Sequence, residues 1–210
     1  MKRYLVISSL ISALFMSSAY SQSKDWGGAF YDFGLGQQNV SLSDSGGASK
    51  GYYASSGTAY SASVSDSHYL TAQMGWGYNL AINDHLLVGI GLDIAPFMPK
   101  AMTFNVRSAS AKSMPFSVKN AYDSYASLSY AIGSSDLAYS KLGISTTNFN
   151  QLIGNDHGVL VGLGYKHLVS KDWFGFGEFN YTKYQNLNDG DAAYVKGYSN
   201  NVIVGLGFKF

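Results

Sequence analysis

The chain has 210 residues, of which 14 are Lys or Arg and 13 are Asp or Glu, and it contains no Cys. Charged residues make up only 13% of it, about half the share of a typical soluble domain, whereas aromatic residues reach 15%. The near-neutral charge gives no indication of a nucleic-acid partner, and the lack of Cys excludes disulfides and thiolate chemistry.

The N-terminus has the three parts of a secretory signal peptide. Lys2 and Arg3 precede an apolar stretch over residues 4–16, and Ala19 and Ser21 occupy the positions expected before a cleavage site. The apolar stretch is shorter than the roughly 20 residues that a membrane-spanning helix needs. We therefore expect a signal peptide over residues 1–21 and a mature domain over residues 22–210, with 12 basic residues against 13 acidic ones.

The mature chain alternates apolar and polar or small residues with the period of a β-strand. Leu70, Met74 and Trp76, for example, alternate with Thr71 and Gln73. Because successive strand side chains point to opposite faces, each such segment has one apolar face. Eight segments are predicted as strands: 26–37, 69–82, 85–95, 121–132, 137–148, 157–168, 173–184 and 198–210.

The gaps between these segments alternate between short and long. Residues 83–84, 133–136 and 169–172 form tight gaps rich in turn-forming residues. The other gaps, expected as long loops that contain all three prolines, are 38–68, 96–120, 149–156 and 185–197. Short turns on one side and long loops on the other are typical of an outer-membrane barrel. The sequence predicts an all-β fold: an eight-stranded antiparallel transmembrane β-barrel with short periplasmic turns and long extracellular loops.

The alternation continues to an aromatic residue at the C-terminus. Leu206, Phe208 and Phe210 alternate with Gly207 and Lys209. This pattern resembles the terminal strand that the outer-membrane assembly machinery recognises. Leu206, Phe208 and Phe210 are therefore the candidate assembly signal.

Together these stretches resemble the small eight-stranded outer-membrane barrels, the group that includes the OmpA transmembrane domain, OmpX and the opacity proteins. The resemblance implies location in the cell outer membrane, with outer-membrane lipid, lipopolysaccharide and the assembly machinery as partners and a monomer as the expected state. It is weak on function, since members of the group serve as anchors, adhesins, evasion factors or narrow pores. The segments that carry it include Phe33-Gly34-Leu35-Gly36, Gly75-Trp76-Gly77-Tyr78, Lys141-Leu142-Gly143, Gly162-Leu163-Gly164-Tyr165, Gly177-Glu178-Phe179-Asn180-Tyr181 and residues 205–210.

The alternation places equal numbers of acidic and basic side chains inside the barrel. The interior of eight strands is narrow enough for side chains to fill it, and a charge confined there needs a partner. Two readings stay open, an ion-pair network that closes the barrel and a gated path for small solutes or ions. The residues assigned to this network are Asp32, Asp93, Lys141, Lys166, Glu178 and, near the periplasmic rim, Lys209. Outward aromatic residues are expected to form a girdle close to the short turns: Tyr78, Tyr130, Tyr165, Trp173, Tyr181 and Phe208.

No residue pattern indicates a catalytic, cofactor or metal site. The four histidines, His68, His85, His157 and His167, are scattered along the chain and lack the pattern expected of a lipid A deacylase. The one close acidic pair, Asp189 and Asp191, cannot supply the six or more oxygens of a calcium site. We expect no enzyme activity and no cofactor, and a lipid A-modifying enzyme stays only as a remote alternative.

The second long gap is basic and aromatic. No acidic residue occurs between Asp93 and Asp123. A solvated loop is one reading, and contact with an anionic surface such as lipopolysaccharide phosphates is the other. The residues of this anionic-surface hypothesis are Lys100, Arg107, Lys112 and Lys119. The predicted function is a non-catalytic outer-membrane barrel with a structural and surface-interaction role through its extracellular loops, and the alternative is a narrow pore.

Overall fold

A computed structural model describes ten stretches of the chain: 23–44, 52–53, 59–64, 67–97, 102–107, 112–116, 118–149, 155–184, 187–188 and 194–210. Eight long strands dominate them, and a single turn of 3₁₀ helix, Ser23–Trp26, precedes the first strand. The eight are β1 (Gly28–Asp44), β2 (Ser67–Ala81), β3 (Leu86–Phe97), β4 (Val118–Ile132), β5 (Asp136–Phe149), β6 (Asn155–Leu168), β7 (Trp173–Tyr184) and β8 (Tyr194–Lys209). The predicted signal peptide lies outside the described residues.

The eight strands close into one antiparallel barrel. Each pairs with its neighbours in sequence, and β8 returns to pair with β1 from Phe30↔Lys209 to Asp44↔Val195. Closure leaves no unpaired strand edge, which is the condition for a sheet to exist in lipid. The predicted fold class is therefore confirmed.

The side chains alternate between a polar interior and an apolar exterior. On β5, Lys141 and Ser145 are buried, whereas Leu142 and Ile144 are more than half exposed. The same holds around the barrel, since the outward Leu70, Ile90 and Leu163 are each over 60% exposed. A continuous band of exposed aliphatic residues is stable only against lipid, so the barrel lies in a membrane. No helix in the described part of the chain is long and apolar enough to cross one.

The three tight turns are at the same end of the barrel as residue 28 and the C-terminal residue. They connect β2 to β3, β4 to β5 and β6 to β7, and the second contains Gly133 with a φ of 72°. Only glycine adopts that backbone conformation without strain. We call this end the periplasmic end, because short turns face the periplasm in outer-membrane barrels.

The strand limits differ from the expected ones most clearly in two regions. Trp26, placed at the start of the first strand, belongs to the 3₁₀ turn, and β1 begins at Gly28 and runs on to Asp44. Residues 96–120, expected as a loop, contain the strands Met102–Arg107 and Lys112–Phe116 as well as the ends of β3 and β4. Pro96 therefore lies within β3, where the pairing with β2 shifts at a bulge, and such irregularities tolerate a residue that has no N–H to donate.

The outer loops form a small sheet of their own beyond the barrel. The strands Tyr52–Tyr53, Ala59–Val64, Met102–Arg107 and Lys112–Phe116 pair in that order. Loops one and two are thereby joined, as shown by the pairing of Ser61 with Arg107.

Candidate functional site in the barrel interior

A buried ion cluster lies at the middle of the interior. The Lys141 ammonium is 2.8 Å from Asp93 Oδ2 and 2.6 Å from Glu178 Oε2, and all three side chains are at most 4% exposed. The Tyr139 hydroxyl and the Asn180 amide nitrogen each donate a hydrogen bond of 2.6 Å to Glu178. One lysine on β5 thus contacts carboxylates on β3 and β7, and Glu178 accepts two further hydrogen bonds.

A second lysine connects this cluster to aromatic rings below it. Lys166 Nζ is 3.7 Å from Asp32 Oδ2, a long ion pair. The same ammonium lies 3.8 Å from the Phe30 ring centroid and 4.6 Å from that of Phe174. Cation–π contacts of this kind stabilise a cation that has left water.

The structure places five of the six predicted network residues in the two contacting groups just described. Lys209 is the exception: it is part-buried at the periplasmic rim, where its backbone N–H donates to Asp172 O. The sequence reasoning missed Asp123, which lies inside, directly opposite Asp93 in the strand pairing. The alternation that places Tyr130 outside also places Asp123 inside, so the signal was in the sequence. The expected balance of three acids and three bases was therefore wrong.

A cluster of buried apolar side chains lies at the periplasmic mouth of the interior, which the sequence analysis did not foresee. Trp26 and Phe174 are almost fully buried, and their ring centroids are 5.9 Å apart. The 3₁₀ turn is held across the mouth because Ser23 N–H donates to Asp84 O at 3.0 Å and Asn79 Nδ2 donates to Trp26 O at 3.2 Å. We call this cluster the apolar plug; its buried members are Trp26, Phe30, Leu87, Ala131, Leu137, Phe174, Phe176 and Ile203.

Small cavities remain in the described interior, and two of them lie beside the ion clusters. One, of about 20 Å³, lies in the outer half between Gln38, Asp93, Asp123 and Tyr184. The other, of about 10 Å³, lies nearer the plug between Asn79, Tyr139 and Lys166. Each has room for about one water molecule.

The histidines do not converge on one another in the structure. His68 contacts Asn39, His157 Nδ1 is 3.0 Å from Thr146 Oγ1, and His85 stacks on Tyr130. His167 Nδ1 is 2.7 Å from Asp136 at the periplasmic end. Among the described residues, no three His, Cys, Asp or Glu side chains are grouped so as to hold a metal ion. Asp189 and Asp191 lie outside the described residues.

The outward aromatic residues form a periplasmic girdle with one exception. Trp173 and Phe208 contact edge to face at 5.3 Å, and Phe208 contacts Phe210 at 5.0 Å. Tyr181, expected near the short turns, lies eight residues along β7 from its periplasmic end and stacks on Tyr198, so that expectation was wrong. Leu206 is exposed on the same lipid-facing side. The role of Leu206, Phe208 and Phe210 as an assembly signal stays a prediction.

The basic residues of the second loop are only partly described. Arg107 ends one strand and Lys112 begins the strand that pairs with it, with Lys112 opposite Val106. Lys119 is within β4. The expectation that they lie outside strands was wrong for these three, because residues of the second loop pair as strands beyond the ends of β3 and β4. Lys100 lies outside the described residues.

Comparison with solved structures identifies the architecture. The outer membrane protein OprG from Pseudomonas aeruginosa is similar over 88% of this chain and 97% of its own, with 14% identity and a TM-score of 0.50. Neisserial surface protein A (NspA) is similar over 87% of this chain and 99% of its own, with 17% identity and a TM-score of 0.50. No protein-family model matches this sequence, and no curated protein matches it either. With its closed barrel and lipid-facing band, the chain is a small eight-stranded β-barrel of the outer membrane, sharing the fold of OprG and NspA.

Proposed function

We propose that this protein is a closed outer-membrane barrel that acts through its outer loops, without catalysis and without a continuous pore. The apolar plug carries the proposal. A hydrated ion that moved along the interior would have to pass the Trp26 and Phe174 rings, which are 3% and 1% exposed. Apolar packing of that density excludes water and gives an ion no replacement for its hydration shell.

The ion clusters next to the apolar plug also support a closed interior. Lys141 is held between Asp93 and Glu178 by contacts under 3 Å, and Lys166 lies against the Phe30 and Phe174 rings. Opening a path would separate buried opposite charges, which costs several kcal/mol, on the order of 3–5. The alternative of a narrow pore has one feature in its favour, the polar lining of the outer half. It requires the plug to move.

A closed interior leaves the outer loops as the surface available to a partner. The paired strands Met102–Arg107 and Lys112–Phe116 bring Arg107 and Lys112 close together along the backbone. The basic, acid-free composition of this region favours contact with phosphate groups. Lipopolysaccharide in the surrounding leaflet is the anionic partner that we propose, with the protein acting as a monomer.

Replacing Lys100, Arg107, Lys112 and Lys119 together with Gln tests this role. Individual surface ion contacts contribute about 0–1 kcal/mol, so the fourfold variant should bind lipopolysaccharide measurably less tightly, while single changes have small effects. The difference should shrink as salt rises, because charges more than about 8 Å apart are largely screened at 0.15 M. Binding is measured with purified lipopolysaccharide and detergent-folded protein, at low salt and at 0.15 M.

A matched control removes charge at the other end of the molecule. Lys24 and Lys171 are exposed at the periplasmic end, and their double Gln variant is compared with Arg107→Gln/Lys112→Gln, since each pair loses two charges. The proposal expects only the loop pair to weaken binding. Equal binding by the fourfold variant and the parent at low salt would mean that the loop is merely solvated.

A further inference from the structure

Five residues that line the outer cavity of the interior each have a buried side-chain oxygen that accepts no hydrogen bond from any other protein group. Two of these oxygens are carboxylate oxygens and three are amide oxygens, so all are potential ligands for a cation. They are Asp93 Oδ1, Asp123 Oδ1, Gln38 Oε1, Asn180 Oδ1 and Asn201 Oδ1. Buried oxygens are nearly always paired in folded proteins, and five unpaired ones around one cavity require an explanation.

In three of these residues the other polar atom of the same side-chain group already has a partner, and this fixes the orientation of the group. Gln38 Nε2 donates to Ser199 Oγ at 2.7 Å, and Asn180 Nδ2 donates to Glu178 at 2.6 Å. Asp93 uses its other oxygen, Oδ2, for Lys141. Gln38 and Asn180 are 5% and 2% exposed. The amide orientations therefore follow from their donors, and each leaves a buried oxygen without a protein donor.

The strand register brings these residues together from both sides of the barrel. Asn201 on β8 is directly opposite Gln38 on β1 and Asn180 on β7. Asp93 on β3 is directly opposite Asp123 on β4. Like charges directly opposite each other in a sheet are destabilising, so the aspartate pair needs compensation.

The charge balance of the described interior points the same way. It contains four carboxylates, Asp32, Asp93, Asp123 and Glu178, but only two ammonium groups away from the rim, Lys141 and Lys166. With all four carboxyl groups ionised, two negative charges are left over, and burying uncompensated charge costs several kcal/mol. One divalent cation would neutralise the excess.

We infer that this cavity binds a single divalent cation of the hard, oxygen-preferring class, Ca²⁺ in preference to Mg²⁺. Ca²⁺ accepts six to eight oxygens in flexible geometry and takes both carboxylate and amide ligands. Ser145 and Thr182 line the same cavity and can add hydroxyl oxygens. Mg²⁺ keeps several of its waters, and a cavity of about 20 Å³ has no room for them. This inference does not depend on the proposed loop function.

The test uses the detergent-folded mature protein, stripped with a chelator and titrated calorimetrically with CaCl₂ and, separately, MgCl₂. We expect one saturable Ca²⁺ site, weaker Mg²⁺ binding and a rise in unfolding temperature with Ca²⁺. Asp123→Asn removes one anionic ligand without touching the Lys141 ion pairs. It should weaken Ca²⁺ binding at least about tenfold, the size of loss seen when a metal site is perturbed.

Asp84→Asn is the matched control, since Asp84 is exposed in a periplasmic turn and should leave binding unchanged. If Asp123→Asn fails to fold, Asn201→Ala removes a neutral ligand from the same cavity and should weaken binding in the same direction. The inference is wrong if the parent shows no saturable Ca²⁺ binding up to millimolar concentrations, in which case protons or waters satisfy these oxygens. It is equally wrong if both cavity variants bind as the parent does.

Discussion

Lys141 is the residue on which the interior depends most. Its ammonium contacts Asp93 and Glu178, so it joins β3, β5 and β7, which are not neighbours in the sheet. It also lies 4.1 Å from the ring centroid of Tyr125 on β4. A buried ion cluster is not by itself evidence of high stability, because desolvation offsets much of the attraction. Removing one partner is different, since the others remain buried and unpaired.

We therefore expect Lys141→Gln to lower the free energy of unfolding by about 3–5 kcal/mol, the usual cost of breaking a buried ion pair. Urea unfolding in detergent, followed by Trp fluorescence, measures the difference. Lys183→Gln is the control: Lys183 is exposed on β7, and a surface change should stay within about 0.5 kcal/mol. Equal unfolding midpoints for Lys141→Gln and Lys183→Gln would show that the cluster adds nothing to stability.

The inward positions of individual charges could be predicted from alternation alone, but their partners could not. The alternation of side chains along each strand predicts that Asp32, Lys166 and Glu178 point inward, and the structure places them there. Which acid meets which base depends on the stagger of strands around the barrel, and a strand's own sequence does not contain that stagger. Strand alternation also places Asp123 inside, but the sequence analysis did not include it. The excess of negative charge was therefore not predicted either.

At the scale of strands, small residues on one strand make room for rings on the next. Gly207 on β8 is directly opposite Phe174 on β7, and a Cβ at Gly207 would overlap the Phe174 ring. Gly177, on the lipid-facing side of β7, has open space where a Cβ would be. The two glycines belong to the same alternating pattern in the sequence but have different packing environments.

Gly207→Ala should therefore destabilise the barrel by about 1–3 kcal/mol through overpacking against Phe174. Gly177→Ala should be neutral, because nothing lies within 4 Å of the added methyl. The unfolding temperatures of the two variants, read from the heat-dependent shift in electrophoretic mobility, give the comparison. If Gly207→Ala is as stable as Gly177→Ala, the Phe174 ring is not packed as described.

Strand number, order and approximate limits were predictable because each strand faces lipid on one side and the interior on the other. The predicted strand limits were wrong where a strand no longer has lipid on one side and the barrel interior on the other. Beyond the membrane, residues 102–107 and 112–116 pair as strands. The alternation of Met102, Phe104 and Val106 with polar residues is too short to predict a strand as firmly as the barrel segments do. At the periplasmic mouth, Trp26 turns inward as part of the plug instead of continuing β1. There, contacts with Phe174 decide the local structure, and those are long-range contacts.

For the whole molecule, the interior is layered from one end to the other. The apolar plug with Trp26 and Phe174 fills the periplasmic end, the Lys141 and Lys166 clusters follow, and the polar cavity beside Gln38 and Asp123 lies in the outer half. This layering explains how a barrel with a polar interior can be closed. It also separates the proposed cation site from the periplasm.

Single-channel recording in planar lipid bilayers tests closure most directly. The parent protein should show no discrete conductance steps, because the buried rings of the plug fill the periplasmic mouth. The double variant Trp26→Ala/Phe174→Ala should show small steps or leakage, since it removes the two rings that meet across the mouth. Circular dichroism confirms beforehand that both proteins are folded. Reproducible openings of the parent, unchanged in the double variant, would contradict the closed barrel and support the narrow pore.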